Sequence, residues 1–171
     1  MDNKVHVMVD IETFDTKSSA LILSIGAVVI TEPHMTFYRE LDPTTQHART
    51  VSEDTKRWWS EQPMPIPSGT LDMHSGLLQF GQWIQSLAQY FTAEPIIWCK
   101  GTDFDTAILT HAYQSLYLPV PWKYNNVRDC RTIYKVCGFT ARKANHNALH
   151  DAQWQAEDLM ICLSDHNLQL A

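Results

Sequence analysis

The chain has few of the features that would place it outside the ordinary soluble proteins. Its 171 residues include only four cysteines, Cys99, Cys130, Cys137 and Cys162, and no CxxC pair. Neither a disulfide framework nor a zinc-ligand spacing can be read from them, and packed, reduced thiols are the expectation. No run approaches the roughly 18 apolar residues of a membrane span. The longest, ALILSIGAVVI, is interrupted by Ser24 and Gly26 and reads as a strand. The N-terminal MDNKVHV lacks the basic-then-apolar order of an export signal, so a cytoplasmic protein with no membrane partner is expected. Basic residues are also short: 13 Lys and Arg against 19 Asp and Glu give a net charge of -6. That excludes nucleic-acid binding through a broad basic surface, though not binding through bound metal ions. Internal repeats and low-complexity segments are absent.

What is present is an ordinary globular composition, 44% hydrophobic and 19% charged. The length suffices to bury about two-thirds of the unfolded surface in one core, so a single domain over residues 1–171 is expected. Val5–Val9, Leu21–Ile30 and Met35–Leu41 read as three strands joined by short links, a meander. From Ser52 the pattern becomes helical and stops before the prolines of PMPIPSG, the one segment that reads as a flexible loop. Leu77, Phe80, Ile84, Leu87 and Phe91 keep helical spacing. IIWC is a short buried strand and DFDTAILTHAYQSL a helix behind it. NNVRDC reads as an edge strand, TIYKVCGF as a helix ending near Gly138, and HNALHDAQWQAEDLMICL as a last helix with Ala148, Ala152 and Ala156 on a narrow face. The result is a mixed α/β domain, a class in which sites collect at strand ends.

Acids occupy such ends. Asp10 and Glu12, two residues apart behind the apolar VHVMV, emerge on one face of an extended strand. Clustered anions beside a core are costly unless a cation compensates them. Asp105 follows the IIWC strand, and Asp151 lies early in the last helix. Four acids at the ends of separate elements offer the converging oxygen ligands that hard divalent ions need. His146 precedes Asp151 by five and cannot share its helix face, but it can reach the same point from the loop entering that helix, with Asn147 as N-cap. A histidine there could accept a proton from an activated water near neutral pH. His150 reads as a helix-surface residue, and Asp103 competes with Asp105. Trp58 and Trp59 point about 100° apart on a helix, so one can pack while the other stacks on a base or joins a subunit interface.

DIET, FDTAIL and HNALHD, in that order over residues 10 to 151, resemble the three motifs of the DEDDh-type 3′-5′ exonucleases, the superfamily of polymerase proofreading subunits and ribonuclease T. More narrowly, ALILSIGAVV, TKRWWSEQ and PWKYNNVRDCRT are similar to the small phage and bacterial exonucleases related to exonuclease VIII and exoribonuclease AS. The resemblance implies a ribonuclease H-like fold, a mixed five-stranded sheet flanked by helices. It also implies Asp10, Glu12, Asp105 and Asp151 as ligands of two Mg²⁺ or Mn²⁺ ions, His146 as general base, and Thr13 against the 3′-terminal nucleotide. The reaction implied is metal-dependent release of nucleoside 5′-monophosphates from a 3′ end. His150 and Lys100 depart from the residues common at their positions. Arg142 and Lys143, just upstream of His146, and Trp59 are the candidate substrate contacts. A homodimer is compatible with the aromatic surface. Two other readings remain open: a nuclease-inactive binding module of the same fold, and a ribonuclease H-type endonuclease. Whether the substrate is DNA or RNA, single or double stranded, is also open.

Overall fold

The computed structural model describes residues 3–170. Five strands, β1 (Lys4–Thr13), β2 (Ile22–Val29), β3 (Glu32–Glu40), β4 (Glu94–Cys99) and β5 (Val127–Asp129), form one sheet in the order β3-β2-β1-β4-β5. The first three are an antiparallel meander, while β4 runs parallel to β1 and β5 parallel to β4. Five helices flank it: α1 (Glu53–Ser60), α2 (Met73–Phe91), α3 (Asp105–Ser115), α4 (Cys130–Cys137) and α5 (Ala148–Asp165). This is the mixed sheet expected of a ribonuclease H-like fold.

β1 is central, which is why its sequence is apolar on both faces. Val5, Val7, Val9 and Ile11 pack with Leu77, Phe80 and Ile84 of α2 and Ile108 and Leu109 of α3. Met8, from the alternate set, packs with Ala152, Ala156 and Leu159 of α5 and Cys130 and Tyr134 of α4. Asp10 and Glu12 continue Met8's set, so the period of two that buries the valines also sends these carboxylates to the α5 side.

The strand is longer than its apolar run. β1 does not stop at Asp10, because β2 keeps pairing with it: Asp10 faces Gly26 and Glu12 faces Ser24, and the register slips only between Glu12 and Thr13. β-bulges of this kind often sit beside functional sites. Gly26 has a second task, since a Cβ there would lie 2.2 Å from the carbonyl carbon of Ala148. Only glycine lets the first turn of α5 rest on the sheet beside Asp10. The PMPIPSG segment lacks regular structure but is tied to the end of β3, where Ser68 N donates to Glu40 Oε2 and Gly69 N to the Leu41 carbonyl. No described helix is long and apolar enough to cross a membrane.

Candidate active site

Parallel strands β1 and β4 end at the same edge of the sheet, and the loop after β4 turns directly into α3, whose first residue is Asp105. Asp105 is buried, and its Oδ1 accepts from the Ile11 amide at 3.2 Å, so the acid from the second motif is held against the backbone between Asp10 and Glu12. Asp103 points elsewhere: its side chain is exposed and pairs with Arg131 at 2.8 Å. α5 supplies the rest. Asn147 caps it by accepting from His150 N at 3.1 Å, and Asp151 lies one turn in.

Asp151 also shapes the loop in front of it. Its two carboxylate oxygens accept from the backbone amides of Asn145 and His146, both at 2.8 Å. Asn147 N in turn donates to Asn145 Oδ1 at 2.9 Å. His146 adopts a left-handed backbone, φ +62°, a conformation uncommon outside glycine that often marks functional sites. The imidazole meets Trp58 edge to face, 4.6 Å between ring centres. One ligating atom each from Glu12, His146 and Asp151 lie within 4.8 Å of one another, close enough to share a cation. Asp10 and Asp105 line the same cleft of about 500 Å³, together with Thr13, Asp15, Trp58 and Lys100.

The electrostatics follow from crowding. Burial, reinforced by Asp105, Glu12 and Asp151, pushes Asp10 well above the usual carboxylate range, against the opposing hydrogen bond from Gln155. Burial, then Asp151 and Asp105, pushes Glu12 up to about 8. Asp105 rises to about 7, again mainly through burial. Carboxylates this crowded hold protons unless another positive charge is supplied.

The sequence from residue 5 to 163 matches the Rv2179c-like 3′-5′ exoribonuclease domain. The chain belongs to that family. It is accordingly an enzyme of the 3′-5′ exonuclease class. No curated protein sequence matches it. Solved structures of similar fold include cell-death related nuclease 4 (12% identity, TM-score 0.63), with 96% of this chain covered but only 66% of that one, just under two thirds of its length. Another is the nuclease domain of 3′hExo, a DEDDh family member bound to rAMP, at 12% identity, TM-score 0.65, and coverage of 100% and 98%. A third is Pop2p of S. pombe in its Mg²⁺- and Mn²⁺-bound form, at 11% identity, TM-score 0.55, and coverage of 95% and 84%. At these identities the likeness is one of fold.

Within this exonuclease domain the four substrate contacts expected from the sequence divide: Thr13 and Trp59 line the cleft, while Arg142 and Lys143 do not. Trp59 is 1% exposed, packs with Leu21 and Leu23, and donates from Nε1 to the Thr13 carbonyl at 2.9 Å. It is a core residue, and the indole available in the cleft is Trp58. Arg142 is occupied by α5: its Nε meets Asp158 at 2.7 Å, its Nη2 meets Glu157 at 2.9 Å, and its guanidinium lies over the Trp154 ring. It pins the loop instead of offering free charge. Thr13 is buried, with its hydroxyl donating to the Asp15 carbonyl at 2.7 Å. Lys143 is exposed and does not line the cleft, whereas Lys100 does.

One residue lining the cleft escaped sequence reasoning altogether. Gln155 is buried and donates from Nε2 to Asp10 Oδ1 at 2.7 Å, while its Oε1 has no partner among the described residues. Its position four after Asp151, on the same helix face, was the available signal.

Proposed function

We propose that this domain, as one unit, removes nucleotides stepwise from the 3′ end of a nucleic-acid strand, releasing nucleoside 5′-monophosphates, and that Asp10, Glu12, Asp105 and Asp151 hold two Mg²⁺ or Mn²⁺ ions for the purpose. The carrying observation is the convergence of four carboxylates from β1, α3 and α5 on one cleft beside His146. The donor set fits hard cations: it consists of oxygens, three of the acids are driven toward protonation by burial and proximity, and the Gln155 Oε1 faces its surroundings unpartnered. Bound there, such ions would supply Lewis-acid stabilisation of the scissile phosphate, an activated water and neutralisation of the leaving 3′ oxygen.

The chain's own residues do the remainder. The His146 imidazole accepts the proton of the attacking water, and its backbone amide bond to Asp151 keeps the ring over the acids. Trp58, 37% exposed beside His146, offers a face or edge to the terminal base. Lys100 places one positive charge in the cleft for the backbone phosphate. RNA is the favoured substrate, supported by the exoribonuclease character of the family. Its four free cysteines suit a reducing, cytoplasmic setting.

The test is a time course on RNA and DNA carrying a label at either end, with Mg²⁺, Mn²⁺ or EDTA, alongside a closed circular single strand. A 3′-end label should leave first, as mononucleotide, with RNA faster than DNA and the circle intact. His146→Ala should lower the rate by about 10²–10⁴-fold. Cutting of the circle would instead favour a ribonuclease H-type endonuclease, and inertness of every substrate with either metal would leave a binding module.

A further inference from the structure

A second group of metal-ligating side chains lies at the other end of α5. Cys137 ends α4, Cys162 sits in the last turn of α5, and His166 is the residue that closes that helix. One ligating atom from each lies within 4.8 Å of the others. A tetrahedral zinc with ordinary Zn–S and Zn–N lengths separates its ligand atoms by about 3.5–3.8 Å, so small side-chain rotations close the site. We propose that Cys137, Cys162 and His166 bind a thiophilic divalent ion, Zn²⁺ by preference, and that the ion clamps α4 to the end of α5.

The scaffold holds all three positions firmly. α4 closes on Gly138 at φ +65°, with Phe139 N donating to the Tyr134 carbonyl at 2.9 Å. α5 closes the same way, with Asn167 at φ +54° and Leu168 N donating to the Leu163 carbonyl at 2.8 Å. Both are left-handed helix ends that fix the preceding residues. His166 is oriented further: its Nδ1 lies 2.9 Å from the Cys162 carbonyl oxygen. A carbonyl only accepts, so Nδ1 carries the proton and the neutral ring has its lone pair on Nε2, the arrangement that backbone partners impose on metal-binding histidines.

The burial gradient matches a three-ligand site. Cys162 is buried among Leu159 and Leu163, Cys137 is half-buried, and His166 is exposed, which leaves a fourth position for solvent. Two thiols and an imidazole make a soft donor set that Mg²⁺ does not satisfy, unlike the all-oxygen acids of the cleft. The two groups are also well apart, since Cys162 lies eleven residues beyond Asp151, about 16 Å along the helix. Sequence spacing hid the site because only Cys162 and His166, four apart, are near in sequence; Cys137 arrives through the packing of α4 on α5.

The experiment is a Co²⁺ titration of the reduced protein in excess Mg²⁺, which occupies the carboxylate cleft. One equivalent should raise a thiolate-to-cobalt charge-transfer band with the visible bands of tetrahedral Co²⁺, and one equivalent of Zn²⁺ should bleach both. His166→Ala, at an exposed position, should weaken Co²⁺ by about 10–100-fold. Cys137→Ser should abolish the charge-transfer intensity of its sulfur and leave nuclease activity unchanged. Zn²⁺ at a hundredfold excess over its Kd should raise the melting temperature by roughly 5 °C in the parent and not in Cys137→Ser. Absence of the band with all thiols counted as free, or its persistence unaltered in both variants, overturns the proposal.

Discussion

Freed of divalent cations, the protein should lose stability as the pH rises from about 5 to about 8, and Glu12 gives the size of the effect. Its side chain sits in a residue only 8% exposed, and burial together with Asp151 and Asp105 moves its pKa from 4.5 to about 8. The folded chain therefore holds this proton more tightly than the unfolded chain does. Below pH 4.5 both states are protonated and nothing is lost; between 4.5 and 8 the unfolded state gains by ionising first; above 8 the full penalty is present. At about 1.4 kcal/mol per unit, the stretch from pH 5.5 to 8.5 costs on the order of 3 kcal/mol through this residue alone. Asp105, raised to about 7, acts in the same direction. For a chain of this length a kcal/mol is worth about 2–4 °C in Tm, so melts in EDTA should fall by roughly 10 °C across that range. Glu12→Gln, which keeps the shape and removes the charge, should melt higher than the parent in EDTA at pH 8.5. The same variant should forfeit most of the gain from Mg²⁺ or Mn²⁺, about 2.7 kcal/mol at a hundredfold excess over Kd in the parent. An EDTA-treated parent as stable at pH 8.5 as at 5.5, with Glu12→Gln no more stable than it, would refute the reasoning.

Gly26→Ala should cost about 3 kcal/mol in a urea melt, because its Cβ meets the Ala148 backbone at 2.2 Å, and activity should fall further as α5 lifts Asp151 from the cleft. Equal stability would show that α5 has room to move. The tryptophan pair should separate: Trp58→Ala raises KM for short oligonucleotides in a protein that melts normally, while Trp59→Ala loses about 3–5 kcal/mol of stability. Arg142→Gln should leave the salt dependence of substrate binding unchanged and destabilise by roughly 1–3 kcal/mol, since the buried Asp158 carboxylate loses its guanidinium partner and keeps only the backbone amide of residue 142. Lys100→Gln should reduce the slope of log affinity against log salt by about one contact's worth, without changing the melt; the opposite pattern in the two variants would reverse their roles.

The fold was legible where periodicity was strong. β1 to β3 and the helices stood out because their apolar spacing answers to burial, yet the ends of β1 did not. Acids at residues 10 and 12 look like a strand terminus, and only the partner positions on β2, Gly26 and Ser24, keep the ladder going. The acids and His146 could be found because their spacing relative to each strand or helix start is local. Contacts set by tertiary packing could not. Nothing near Arg142 in sequence announces Asp158 sixteen residues away, and adjacent tryptophans do not say which of them faces the core. Gln155 lay within reach, being one turn from Asp151, but glutamine on a helix carries no charge pattern to draw attention. The FDTAIL motif already favoured Asp105 over Asp103; the physical reason, Arg131 from the start of α4 holding Asp103 outward while Ile11 N holds Asp105 inward, comes only from tertiary packing.

The bonds from Asn145 and His146 to Asp151 have a consequence for how the enzyme spends conformational entropy. Ordering a residue's backbone costs on the order of 1–2 kcal/mol, and here it is met during folding, by a carboxylate that belongs to the site itself. As the proposed base, His146 is then already held in place before a 3′ end arrives. Capture of a 3′ terminus should consequently show little dependence on the ordering of this loop. The arrangement carries a matching vulnerability: neutralising Asp151 releases the loop as well as a ligand, so its loss and that of His146 should be far from additive.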